Sequence, residues 1–319
     1  MLPPSRPGIH RWWVLLLSVV LASACANTTP NTTPTPTPNP TVASTAPSAT
    51  PTSAPSRSVT PSASATQPGG PSPRIVDVGG RQAAIDCRGE GQPTVILESG
   101  LGVPMATWDA VMAAIATTAR VCRYDRPTVA AGDPAALPRT ADRMVDQLRA
   151  LLAAAGEGPP YVLVGHGLGG LNVQAFARTF PDEVLGVVFV DAVHPELDSR
   201  IEQLLSPEQI AARRAQLEAN PEGVTFADLQ ASARFVARAP GFPPVSTIAI
   251  RHGVPPVSTD PAWPTDAVEA LWAELAGELA VLGDPPQPVV VAAASGDRIQ
   301  ETEPGLVIDA IEYCLEGVR

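Results

Sequence analysis

The chain has 319 residues, 45% of them hydrophobic, with 37 prolines and a formal charge of −11. All 21 basic residues are arginine, which we read as genome composition rather than function. An acidic balance of this kind argues against nucleic acid and anionic membrane surfaces as electrostatic partners.

In chain order, Arg6 and Arg11 precede WWVLLLSVVLASA, a mostly apolar run of 13 residues. It is too short to cross a bilayer, which takes about 20 residues, but has the form of a signal-peptide core. The run ends LASAC, which resembles a bacterial lipobox with Cys25 as the lipidated residue. The alternative is an ordinary signal peptide cut near Ala24 or Ala26. Either way the mature domain is expected outside the cytoplasm, lipid-anchored on the outer face of the cell membrane in the first case and secreted in the second. Residues 26–73 are nearly all Thr, Pro, Ser, Ala and Asn. Such a stretch cannot bury enough apolar surface to offset chain entropy, so it is expected to be a disordered linker. At about 3 Å per residue its contour approaches ~150 Å.

From residue 74 to 319 the composition is globular, a length that suits one α/β domain. RIVDVGG and RQAAIDC alternate as a hairpin does, and PTVILES reads as a short buried strand. PMATWDAVMAAIATTA is helical in pattern, ARVCRYD a strand, and RTADRMVDQLRALLAAAG a helix with Thr140 at its start and Gly156 at its stop. A strand at 161–164 runs into GHGLGG and a helix over 168–180, followed by the strand VLGVVFVDA. Residues 194–244 carry two or three helical patterns, including SPEQIAARRAQLEAN with a Ser-Pro start. Strand VSTIAIRH, helix TDAVEALWAELAGELAVLG, strand PVVVAAAS and helix EPGLVIDAIEYCLEGV complete the order. A leading hairpin followed by strand–helix units predicts a mostly parallel eight-stranded sheet with helices on both faces. The helices at 194–244 fall where a small lid would cover the carboxyl ends of the strands, at which ligands bind.

Five segments in this order, ILESGLG, RVCRYDRP, YVLVGHGLGG, FPDEVLGVVFVDAVHPE and ASGDRIQETEPGLVIDAI, resemble the α/β-hydrolase family across residues 74–319. That resemblance places the second and fourth strands side by side, and so implies a disulfide between Cys87 and Cys122, with Cys314 left free. The alternative is a pair of buried thiols.

The family resemblance also implies a Ser–His–Asp/Glu triad, and two of its three positions have changed. The nucleophile elbow G-x-S-x-G has Gly167 at its centre, and Asp297 stands where the family's base histidine lies, in SGDRIQ. Glycine has no group with which to attack a carbonyl, and an aspartate is already ionised near neutral pH. The acid candidates are Asp191 after the sixth strand and Asp260 and Asp266 after the seventh. His252, at the end of the seventh strand, is a candidate swapped partner for Asp297. His166 is expected to pack beside the elbow strand, and His194 to lie near the pocket mouth. Ser99 and Ser295 lie near strand ends but are not aimed like an elbow residue. The oxyanion donors of the family are backbone amides, which the resemblance assigns to Leu168 and Leu101.

These residues predict a catalytically degenerate hydrolase-like domain that binds, at the cell envelope, either a small acyl or carboxylate ligand or a protein partner. No cofactor and no metal are expected. Two other readings stand beside it: an ester or amide hydrolase with an unconventional site on His252, Asp297 and a water, and a structural domain with no ligand.

Overall fold

A computed structural model describes residues 73–127 and 138–317. The expected signal peptide (1–25) with Cys25, and almost all of the expected linker (26–73), lie outside the described residues.

Eight strands form one sheet: β1 (Arg74–Asp77), β2 (Gln82–Arg88), β3 (Thr94–Glu98), β4 (Val121–Tyr124), β5 (Tyr161–His166), β6 (Val184–Val190), β7 (Ser246–His252) and β8 (Val290–Ala292). Their spatial order is β1-β2-β4-β3-β5-β6-β7-β8. β1 pairs antiparallel with β2, and β2 with β4, while every later pairing is parallel. The strands differ in length for a local reason: β8 is confined to three residues by the proline-interrupted run that precedes it, whereas β5 runs on to His166.

Helices cover both faces, which is why the central strands are apolar on alternate and intervening positions alike. On one face Ile96, Leu163, Val187 and Phe189 meet α2 (Ala141–Ala155) and α3 (Leu168–Thr179), through Met144, Leu148, Leu152, Leu171 and Phe176. On the other, Val95, Leu97, Val162, Val164, Val188 and Val190 are covered by α1 (Asp109–Ile115) and a late helix that carries Val307, Ile311 and Cys314. Cys314 is buried and free, and burial pushes its thiol pKa up to about 12, so it stays protonated.

The segment expected to form a lid contains α4 (Leu197–Ile201), α5 (Pro207–Glu218) and α6 (Phe226–Arg238). Both longer helices open with a capping box, Ser206 with Gln209 and Thr225 with Asp228. α4 packs its Leu197 and Ile201 on Leu271 and Leu275 of α7 (Thr265–Ala280). α6 reaches the other way. Its Ser232 hydroxyl accepts the first amide of α2 at 2.9 Å, a task that the side chain of Thr140, at the N-cap, leaves undone. The short α8 (Ile299–Thr302) and the covering helix α9 (Pro304–Glu316) close the described chain. None of the described helices is long and apolar enough to cross a membrane.

Cys87 and Cys122 stand opposite each other in the β2–β4 register and are joined in a disulfide. The one grouping of metal-type ligands among the described residues is Cys87, Cys122 and Glu157, and its two sulfurs are consumed by that bond.

Candidate functional site

The parallel strands deliver their carboxyl ends to one row, and the chemistry-bearing residues stand along it. Gly167 follows β5, Asp191 follows β6, His252 ends β7, and Asp297 follows β8. At the elbow, β5 turns into α3 through Gly167 with φ 52° and ψ −120°, the strained geometry of a presented side chain. A Cβ built there would meet only the Gly100 Cα, at 3.5 Å, which is ordinary contact. The neighbouring glycines are different. A Cβ on Gly165 would lie 2.5 Å from the Gly169 carbonyl oxygen, and one on Gly169 would lie 2.4 Å from that of Glu98. The tight strand–helix crossing therefore persists around an elbow that has room for a side chain and carries none.

Asp191 is the buried acid of the row and the one non-glycine residue at positive φ (44°) among the described residues. Its strain is over-determined: Oδ1 accepts from the His252 amide at 3.1 Å and from Trp272 Nε1 at 2.9 Å, and lies 2.7 Å from His252 Nδ1. His252 in turn places Nε2 3.0 Å from Glu269 Oε2. Burial opposes charge on this ring, but the hydrogen bonds and charges of Asp191 and Glu269 outweigh it and raise its pKa. In its protonated form, which both carboxylates favour, this imidazole donates from each nitrogen and has no lone pair left to accept a further proton.

The swapped pair of His252 with Asp297 does not form: Asp191, directly after β6, takes His252 Nδ1 instead, while Asp297 lies in the turn beyond the end of β8. Asp297 is exposed, and what it offers the elbow is its backbone carbonyl, 2.9 Å from Nε2 of His166. His166 is buried beside the elbow strand, and burial lowers its pKa. Asp260 is tied up with Gln209 and the Ala262 amide, and Asp266 lies exposed in the first turn of α7, so neither joins the row. Ser99 accepts from Trp108 Nε1 at 3.0 Å, and Ser295 donates to Glu303 at 2.6 Å; both are structural.

These two histidines set opposite slopes in pH. His252, raised when folded, contributes stability that is full below about pH 6.5 and is lost as pH rises through its folded value. His166, lowered when folded, contributes stability that is full above about pH 6.5 and is lost as pH falls through its lower folded value. Urea denaturation across pH 5–9 is expected to show stability declining on both sides, and His252→Gln is expected to flatten the alkaline decline alone. An unchanged alkaline slope in that variant would contradict the assignment.

Leu101 and Leu168, the two residues expected to supply oxyanion amides, form part of the wall of one cavity of about 90 Å³ under the lid. Leu171, Leu217 and Leu229 make it largely aliphatic, and His194 stands in its rim with a pKa lowered by burial. Leu168 is the first residue of α3, so its amide has no acceptor within the helix.

The lid is fastened over this region by a buried charge network that sequence reasoning missed. Glu222, in the loop between α5 and α6, accepts from Arg126 Nε and Nη2, both at 2.7 Å, from Arg139 Nη2 at 3.0 Å and from the Gly102 amide at 2.7 Å. Arg126 also donates to Glu98 and to the carbonyls of Ser99 and Gly100. Glu98 is further held by Asn172 and the Tyr124 hydroxyl. Glu269 and Trp272 were missed as well, although their i, i+3 spacing on α7 places them on one face.

A series of parallel strand–helix units with an elbow after β5 and a lid after β6 defines a hydrolase-type architecture. A family model described as the alpha/beta hydrolase fold matches residues 93–300, well over half of the chain. The chain belongs to that family. Among curated proteins it is 34% identical over 108 residues to the probable transporter efuK of Hormonema carpetanum, covering 33% of this chain and 16% of that one. It is 32% identical over 104 residues to the uncharacterized protein YqjL of Bacillus subtilis (strain 168), covering 33% and 41%. It thus spans less than half the length of either relative. Among solved structures, alpha/beta hydrolase domain-containing protein 10 from mouse superposes with a TM-score of 0.56 at 16% identity, over 78% of this chain and all of that one. At that identity the likeness speaks for the fold.

Proposed function

We propose that this is a hydrolase-fold domain retired from catalysis, acting outside the cytoplasm as a binding protein anchored through a lipid on Cys25. One observation carries the reading: the elbow keeps its strained backbone and its room for a side chain, but Gly167 supplies no nucleophile. Two more support it. Asp297 turns a carbonyl toward the elbow where a base is needed, and both nitrogens of His252 are committed to carboxylates. What persists is a small cavity with Leu101 and Leu168 in its wall, suited to an acyl or carboxylate group.

The wild type is expected to hydrolyse p-nitrophenyl acetate and butyrate no faster than a heat-inactivated control. Gly167→Ser alone and Asp297→His alone should change nothing, since a serine without a base is a poor nucleophile. The double variant restores both roles and should exceed wild type by on the order of 10²-fold, the lower range for general base catalysis. Turnover by the wild type that His252→Ala or Asp297→Ala abolishes would overturn the proposal in favour of a working hydrolase. For the anchor, membrane partitioning of the wild type, lost in Cys25→Ala, is the expected result. An unmodified N-terminus after Ala24 or Ala26 would replace the anchored form with a secreted one.

A further inference from the structure

The geometry points to the cleft between α4 and α6 as the outer half of the ligand site, with a zwitterionic amphiphile as its occupant; this rests on the binding reading above. The charged head lies in the cleft and the apolar end in the cavity under the lid. The cleft has a volume of about 260 Å³. It shares a wall with the cavity, since Pro195, Asp198 and Ala233 line both. On its α6 side stand Gln230, Ala233, Arg234 and Ala237. That i, i+3, i+4, i+7 spacing is a single helical face, turned away from the buried stripe of Leu229, Ser232 and Val236. Helix separation follows the side chains at the contact, and two alanines would let α4 pack close. A cleft stands there instead.

The charges on the two walls define the head. Of the carboxylates on the α4 side, Asp198 takes Arg213 at 2.6 Å and Glu202 takes Arg214 at 2.7 Å. Glu196 has only Arg200, at 3.5 Å, and that guanidinium lies 2.6 Å from both Glu274 and Glu278. Glu196 is thus a surplus anion, with its side chain 61% exposed. Across the cleft, Arg234 is exposed and has no ion-pair partner among the described residues. One surplus charge of each sign therefore borders the same space. A head of single sign meets one of them with like charge, whereas a head that carries both signs is matched at each wall. At the shared wall Ala233 contributes only a methyl group, and there the apolar end passes to Leu168 and Leu171 in the cavity.

Calorimetric titration of the wild type with four butyl probes tests this: N-butyl-N,N-dimethyl-3-ammoniopropanesulfonate (a sulfobetaine), butanesulfonate, butyltrimethylammonium and N-butylacetamide. The sulfobetaine is expected to bind about threefold or more tighter than either singly charged probe, the scale of an exposed charge pair. Its N-methyl analogue should bind about tenfold or more weaker, because three methylenes no longer reach the cavity. Arg234→Ser should erase the preference over butyltrimethylammonium, and Glu196→Gln the preference over butanesulfonate; both residues are exposed, so neither change threatens the fold. Ala233→Leu should remove the gain of butyl over methyl and leave the methyl probe's affinity as it was. Either singly charged probe binding as tightly as the sulfobetaine would overturn the zwitterionic assignment. Equal binding of the butyl and methyl sulfobetaines would overturn the link between cleft and cavity. Both outcomes leave the binding reading standing, as does N-butylacetamide binding where no charged probe does, which would overturn the cleft alone. Silence from every probe would sink this inference and the binding reading together. The head and tail comparisons need only the wild type, so they decide the matter even if Ala233→Leu does not fold.

Discussion

Replacing Glu222 by alanine is expected to lower the unfolding free energy by about 3–5 kcal/mol, the usual cost of stranding a buried charge. Its two guanidinium partners, Arg126 and Arg139, have side chains only 5% and 1% exposed, so water cannot take the place of the carboxylate. The Gly102 amide loses its acceptor at the same stroke. Urea denaturation followed by tryptophan fluorescence measures the loss. Glu222→Gln, which keeps an acceptor oxygen but no charge, should fall between wild type and alanine. A loss under about 1 kcal/mol, the scale of an exposed ion pair, would show that the network is dispensable and the lid held by other contacts.

The second large effect is expected at Gly169, one residue into α3 from Leu168. Gly169→Ala puts a Cβ 2.4 Å from the Glu98 carbonyl oxygen and 2.7 Å from that of Ser99. Both obstacles are backbone, so relief requires α3 to lift off β3, and the cost is set at about 3 kcal/mol or more. Gly167→Ala meets nothing closer than 3.5 Å and pays only for its positive φ, about 1–3 kcal/mol. The ranking is the test: a larger loss at Gly167 than at Gly169 in paired denaturation curves would refute the elbow geometry described above.

Local pattern carried the architecture. Strand and helix periods, the glycine spacing of GHGLGG and the Gly156 stop all depend on residues within a few positions of one another, and the order of elements follows them, with Gly156 left-handed at φ 77°. The helix expected over PMATWDAVMAAIATTA shortens to a 3-10 turn and Asp109–Ile115, and the strand expected over PVVVAAAS to Val290–Ala292. The disulfide followed once strand adjacency was supplied by the family order. The charge pairs were less accessible. Arg126 and Glu222 are 96 residues apart, and Asp191 and His252 are 61 apart. Nothing in DRP or NPEG announces the other, because the contact is created by the sheet order and not by any local preference. The pairing of His252 with Asp297 failed for a nearer reason: β6 and β8 both lie beside β7, but Asp191 directly follows β6 and reaches the ring, whereas Asp297 lies in the turn beyond the end of β8 at Ala292.

The bond between Cys87 and Cys122 also has a mechanical side. β1 is the outermost strand of the sheet, so tension applied at the N-terminal end of the domain unzips it from β2, one antiparallel pair at a time. That peeling can release residues 74–87 and no more, about 50 Å of extended chain at ~3.5 Å per residue. Beyond that point the load passes through a covalent link into β4, whose residues are all buried and which is flanked by strands on both sides. The first 14 residues of the domain thus serve as an extensible lead, and the cystine is the stop that keeps the pull from reaching the row of strand ends at Gly167.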